Sequence, residues 1–177
     1  MNREQLEHVI RAAATIVEDD ELFVIGSQAI LGQFPDAPAS LLVSVEADVY
    51  PKNRPERADL IDGTIGELSP FHDTFGYYAH GVGQRTAVLP TGWQERLVLI
   101  CNDNTRGAKG LCLEAHDLVL SKLVPHRDKD RRFIRDAVRY GLVQERVLRE
   151  RLKLMPVDNE ALERLGARLD AALASSG

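Results

Sequence analysis

Glu46 and Asp48 stand one residue apart in the run Leu41-Leu-Val-Ser-Val-Glu-Ala-Asp-Val-Tyr50. In a β-strand, positions i and i+2 point to the same face, so these carboxylates would project together. Paired acids repel unless a cation sits between them, and two oxygen ligands are a natural seat for Mg²⁺ or Mn²⁺. Upstream, Phe23-Val-Ile-Gly-Ser-Gln-Ala-Ile30 ends an apolar run at Gly26-Ser27 and turns toward a helix. Such a turn offers backbone N–H groups and a hydroxyl to a phosphate. Phosphate cradle plus metal pair reads as metal-assisted chemistry on a nucleotide.

Further along, Lys122 lies in the apolar stretch Leu118-Val-Leu-Ser-Lys-Leu123, where an ammonium wants a partner. Asp130 opens the next helical segment and can supply one; Arg127 and Lys129 lie beside it as further phosphate contacts. Each feature also has a plainer reading. Gly26-Ser27 is equally a tight strand-to-helix turn, an acid pair can sit at an exposed strand end, and Lys122 can snorkel to the surface. His8, His72, His80, His116 and His126 form no ligand spacing and read as capping, surface or core residues. Gly81-Val-Gly83 and Thr105-Arg-Gly-Ala-Lys-Gly110 lack the Walker spacing and the Rossmann context.

The elements that must hold these groups follow from periodicity. Leu6, Val9, Ile10, Ala13, Ile16 and Val17 recur at helical spacing, which predicts an amphipathic helix over 3–17. A buried strand is expected at Leu22–Ile25, a helix over 27–33, and a proline-bearing loop over 33–40. The acid pair belongs to a strand over Leu41–Tyr50, followed by a helix over 55–68 with Ala58, Ile61, Ile65 and Leu68 inward. Strands are expected over 75–82, 85–89 and 95–101, then a polar loop over 102–110. The remainder reads as helices over 114–124, 129–140, 144–153 and 158–174, with Gly141 ending the second and Asp158 capping the last. The layout is an α/β core over 1–112 and a helical region over 113–177 packed on it.

A chain of 177 residues suits one domain, and 44% hydrophobic with 28% charged residues is ordinary for a globular protein. No stretch approaches the apolar length of a membrane span and the opening residues lack a secretory pattern, so a cytoplasmic setting is expected. Cys101 and Cys112 fit no zinc spacing and read as free thiols. The net charge of −5 argues against a general nucleic-acid binder, but it is unevenly spread. From Lys122 to Lys153 there are eleven Lys/Arg against five Asp/Glu, a surplus of +6 that leaves −11 elsewhere. That surplus is either a local basic surface or a solvated helix face.

The order hydrophobic-Gly-Ser, then acid-x-acid on the next strand, resembles the nucleotidyltransferase superfamily of the DNA polymerase β type. Asp117-Leu-Val-Leu-Ser-Lys-Leu123 followed by His126-Arg-Asp-Lys-Asp130 is similar to the Lys…Arg-x-Lys-Asp segment of AbiEii-like bacterial nucleotidyltransferase domains. The resemblance implies a mixed sheet of four or five strands with flanking helices and a C-terminal helical segment. It implies Mg²⁺- or Mn²⁺-dependent transfer of an NMP from an NTP to an RNA, protein or small-molecule acceptor. Gly26 and Ser27 would hold the β/γ-phosphates, Glu46 and Asp48 the metal, and Lys122 the triphosphate, with Asp130 fixing Lys122 and Arg127 assisting. Active family members usually carry a third acid on a later strand, acting as base or metal ligand, and Glu95 is the best candidate, its alternative role being an ordinary exposed strand-start residue. AbiEii-like relatives include toxins of toxin–antitoxin and phage-defence systems, which implies a cognate partner protein. One departure is Glu46, where the family has Asp. It leaves open an impaired enzyme kept as a nucleotide-binding or interaction module, and the basic helices leave open a DNA-associated partner.

Overall fold

In the computed structural model, which describes residues 1–175, helix α1 spans Arg3–Val17. Asn2 caps it by accepting from the Gln5 backbone N–H while the Gln5 side chain accepts from Asn2 N–H, a reciprocal box that fixes the helix start. Its apolar stripe of Leu6, Val9, Ile10, Ala13 and Val17 is fully buried.

Strand β1 (Glu21–Val24) leads through a 3₁₀ turn at Ser27–Ala29 into the single turn of α2 (Ile30–Gln33). Strand β2 (Glu46–Pro51) follows, then α3 (Ala58–Ile65), α4 (Pro70–Phe75), and the strands β3 (Tyr78–Gly81), β4 (Val98–Ile100) and β5 (Lys109–Cys112). They form one mixed sheet in the order β3-β2-β1-β5-β4. β2 runs antiparallel to β1 and parallel to β3, whereas β5 is parallel to β1 and antiparallel to β4. The chain is thus the mixed α/β architecture the sequence implied, with five strands.

Register sorts the sheet into two faces. Leu22, Gly110 and Ile100 stand in one row and Val24, Val49 and Cys112 in another of the same parity, and this face lies under α1. The opposite face carries Glu46, Asp48 and Tyr50 of β2, with Phe23 against Tyr50 at 5.0 Å between ring centroids. Helices α5 (Ala115–Leu123), α6 (Asp128–Arg139), α7 (Glu145–Leu152) and α8 (Asn159–Ala174) follow the sheet. Gly141 ends α6 with φ +67° and Asp158 caps α8 by accepting from Ala161 N–H, both as read from the sequence. Among the described residues no helix is long and apolar enough to cross a membrane.

Several boundaries differ from the expected ones. The acid-bearing strand begins at Glu46 rather than Leu41, because a 3₁₀ turn at Ala39–Leu41 follows Pro38 and the side chains of Val43 and Val45 stay exposed. The helix expected over 55–68 is split: a 3₁₀ turn at 55–57 precedes α3, and α4 restarts behind Ser69 and Pro70. Leu68 lies in the link with φ +62° and is exposed instead of inward. No strand forms over 85–89, and β4 starts at Val98 because 93–96 is a 3₁₀ turn. The polar loop of 102–110 gives up its last residues to β5, which lies between β1 and β4.

Candidate active site

Parallel pairing of β2 with β3 sets Asp48 opposite His80, and Glu46 lies two residues earlier on the same face. The His80 Nδ1 is 3.0 Å from Glu46 Oε1 and 3.1 Å from Asp48 Oδ1. Ligand atoms of the three side chains all lie within 4.8 Å of one another. Burial raises the Glu46 carboxyl above its ordinary value, and the Asp48 charge pushes it further in the same direction. Burial alone would lower the His80 imidazole, but the Asp48 hydrogen bond, together with the charge of Asp62, lifts it above its usual value. A Glu46 carboxyl pushed up by burial and by its acidic neighbour, beside an imidazole drawn toward its cationic form, marks a place where positive charge is wanted.

Gly26 closes the floor beside Asp48. A Cβ at this position would stand 1.9 Å from Asp48 Oδ2 and 2.7 Å from its Cγ. With φ −82° the backbone is open to any residue, so glycine is required here for space and not for conformation. The Ile25 N–H donates to Asp48 O at 3.0 Å, locking the turn to the acid-bearing strand.

On the other wall, Lys122 from α5 donates to Ser27 Oγ at 2.9 Å. Its Nζ is 3.5 Å from Asp130 Oδ1 and 4.8 Å from the centre of the Phe133 ring. Asp130, 1% exposed, also accepts from Arg127 Nε at 2.8 Å and Arg127 N at 3.1 Å, so it tethers both cations and closes the first turn of α6. Burial lowers the Lys122 ammonium from its ordinary value, and Asp130 opposes that. Burial likewise would raise Asp130, but the Arg127 hydrogen bond holds it below the usual carboxylate range.

Between these walls runs a cleft of about 460 Å³. Ser27, Glu46, Asp48, His80 and Lys122 line it, as do Arg127, Lys129 and Arg132. The fold therefore brings Ser27, Glu46, Asp48, Lys122, Asp130 and Arg127 together, with Gly26 packed directly behind Asp48. Glu95 stands apart, exposed on the 3₁₀ turn Trp93–Arg96 and outside the cleft lining. The strand it was expected to open starts three residues later, because Arg96 is drawn to Asp117 at 2.7 Å. His80 takes the place beside Asp48 on the neighbouring strand. The sequence holds only a faint sign of it, its place in the strand expected over 75–82; its meaning depends on a β2–β3 register that the sequence does not display.

A five-stranded mixed sheet with a glycine-serine turn, paired acids on the next strand and a lysine facing them defines the nucleotidyltransferase class. Residues 4–165 match the family described as a nucleotidyltransferase of unknown function (DUF6036), and the chain belongs to that family. No curated protein and no solved structure matches the chain significantly.

Proposed function

We propose that the protein transfers a nucleoside monophosphate from an NTP to a hydroxyl-bearing acceptor, with a divalent cation held by Glu46 and Asp48. The observation that carries this reading is the facing of the two acids by a buried lysine across one cleft, with Ser27 bonded to that lysine. The donor set fits the ion: two carboxylates converge on one sheet face, and Gly26 leaves the Asp48 carboxylate its room. A bound divalent ion supplies neutralisation of charge on the α-phosphate and its alignment for in-line attack.

Lys122 and Ser27 hold the triphosphate, and Asp130 keeps Lys122 and Arg127 in place for it. Lys129 and Arg132 add positive charge along the same wall. The acceptor oxygen bonds to the α-phosphorus, the bond to the β-phosphate oxygen breaks, and pyrophosphate leaves. The proton of the acceptor hydroxyl passes to Asp48 or to solvent.

The acceptor we favour is an RNA. Arg132 lines the cleft and also a second cavity between α6 and α8 of about 460 Å³, to which Arg131, Arg135 and Arg168 contribute. Guanidinium groups in that arrangement suit a phosphate backbone. Likeness of the 117–130 segment to AbiEii-like domains supports a toxin–antitoxin or defence setting with a cognate partner protein, inside the cytoplasm.

Transfer of label from each α-³²P-NTP with Mg²⁺ or Mn²⁺, offering small RNAs and a cell lysate, tests the reading beside an Asp48→Ala variant. A labelled product that is lost in the variant is expected. The second reading, a nucleotide-binding module without turnover, is favoured by Glu46 in place of Asp and by Glu95 lying outside the cleft. Metal-dependent NTP binding without label on any acceptor would select it.

Lys122→Met separates phosphate binding from folding. NTP affinity is expected to fall about 10- to 100-fold, the range for losing a hydrogen bond to a charged group. The melting temperature should stay nearly constant, since Arg127 still pairs with Asp130 and methionine keeps an apolar stem near Phe133. Calorimetric NTP titration and thermal unfolding check both halves; an unchanged affinity would remove Lys122 from the phosphate site.

A further inference from the structure

Three donor atoms, rather than two, converge at the sheet face. The His80 Nδ1 is 3.0 Å from a Glu46 oxygen and 3.1 Å from an Asp48 oxygen. Two ligands held at about 2.1 Å from an octahedral ion, at right angles, are themselves about 3.0 Å apart. The imidazole nitrogen thus stands from each carboxylate at the separation of neighbouring ligands on one metal. The His80 side chain is 48% exposed toward the cleft, which leaves the remaining positions of such an ion open to phosphate oxygens and water. The Tyr78 hydroxyl, 3.4 Å from Glu46 Oε2, braces one carboxylate from outside.

Nitrogen in the donor set changes which ion the site prefers. Mg²⁺ takes hard oxygen ligands and holds its waters, whereas first-row transition ions accept imidazole readily. We propose that His80 is a third metal ligand and that it sets the site for a first-row transition ion such as Mn²⁺ in preference to Mg²⁺. The inference rests on the metal-assisted reading above and goes beyond it in assigning the ligand and the ion class. The alternative role for His80 is a charge-neutralising bridge between two acids that is pushed aside when metal enters.

The test uses the full chain and free Mn²⁺ and Mg²⁺, with and without a non-hydrolysable NTP analogue. Mn²⁺ binding is followed by electron paramagnetic resonance, and its pulsed form reads coupling to the imidazole ¹⁴N. Wild type is expected to show that coupling and His80→Ala to lose it, with Mn²⁺ affinity falling about tenfold and Mg²⁺ affinity changing less than about twofold. In His80→Asp, an all-oxygen set, Mg²⁺ affinity should rise and the Mn²⁺ preference narrow. Mn²⁺ bound without nitrogen coupling, or an equal loss for both ions in His80→Ala, overturns the proposal and leaves the transferase reading standing. Failure of wild type to bind either ion overturns both.

Discussion

Gly26→Ala is expected to lower nucleotide transfer by at least about 100-fold while the protein stays folded, the scale on which misplacing a reacting group by about 1 Å acts. The new methyl group would meet Asp48 Oδ2 at 1.9 Å and its Cβ at 2.9 Å, so it cannot be absorbed by the carboxylate tip alone. Either Asp48 swings off the Glu46–His80 cluster or the turn retreats from β2. Overpacking of this kind costs about 1–3 kcal/mol, which a domain of this size survives. The signature is therefore a split: metal affinity and turnover collapse, while circular dichroism stays native and the melting temperature moves by a few degrees. Wild-type turnover in Gly26→Ala would mean that Asp48 does not act from its present position.

Asp117→Ala is expected to have the largest effect on stability, about 3–5 kcal/mol, the range for breaking a buried ion pair from one side. Its side chain is 1% exposed and accepts from Arg96 Nε at 2.7 Å and Arg151 Nη1 at 3.0 Å. One carboxylate thus joins the 93–96 turn, α5 and α7. Glu114 shares Arg151; burial alone would raise its carboxyl, yet the His116 hydrogen bond and the Arg151 charge bring it down to about 2. Removing Asp117 strands two guanidiniums with only part of their partners. At about 2–4 °C per kcal/mol for a chain of this length, the melting temperature should drop by roughly 6–20 °C in scanning calorimetry. A loss under about 1 kcal/mol would mean that the cluster is dispensable.

Much of this arrangement is legible in the amino-acid sequence, and the exceptions share a cause. Helices with full apolar stripes, such as α1, announce themselves, because their core contacts repeat along the sequence itself. The acid pair shows through because carboxylates stand out in an apolar run, and Lys122 for the same reason. What escapes are facts of pairing between distant segments. Lys109-Gly-Leu-Cys112 has too little apolar pattern to look like a strand, and only its place between β1 and β4 makes it one. Glu95 looked like the third acid because it preceded a strong β run, but tertiary pull on Arg96 turned that segment into 3₁₀ helix. His80 is the converse: a histidine that reads in the sequence as a capping, surface or core residue and acquires its acidic neighbours only through the parallel register of β2 with β3.

The hydrogen bond from Lys122 to Ser27 joins residues 95 positions apart. A ribosome adding about 5–20 residues per second needs roughly 5–20 seconds to cover that distance. For most of that interval, once Asp48 has been added, the growing chain has its acids and its glycine-serine turn, yet lacks the lysine, arginine and aspartate of the opposite wall. The cleft cannot be complete on a nascent chain that stops short of Asp130. Under the proposed function, unfinished or prematurely released products would then be inert toward nucleotide, with no inhibitor required to keep them silent.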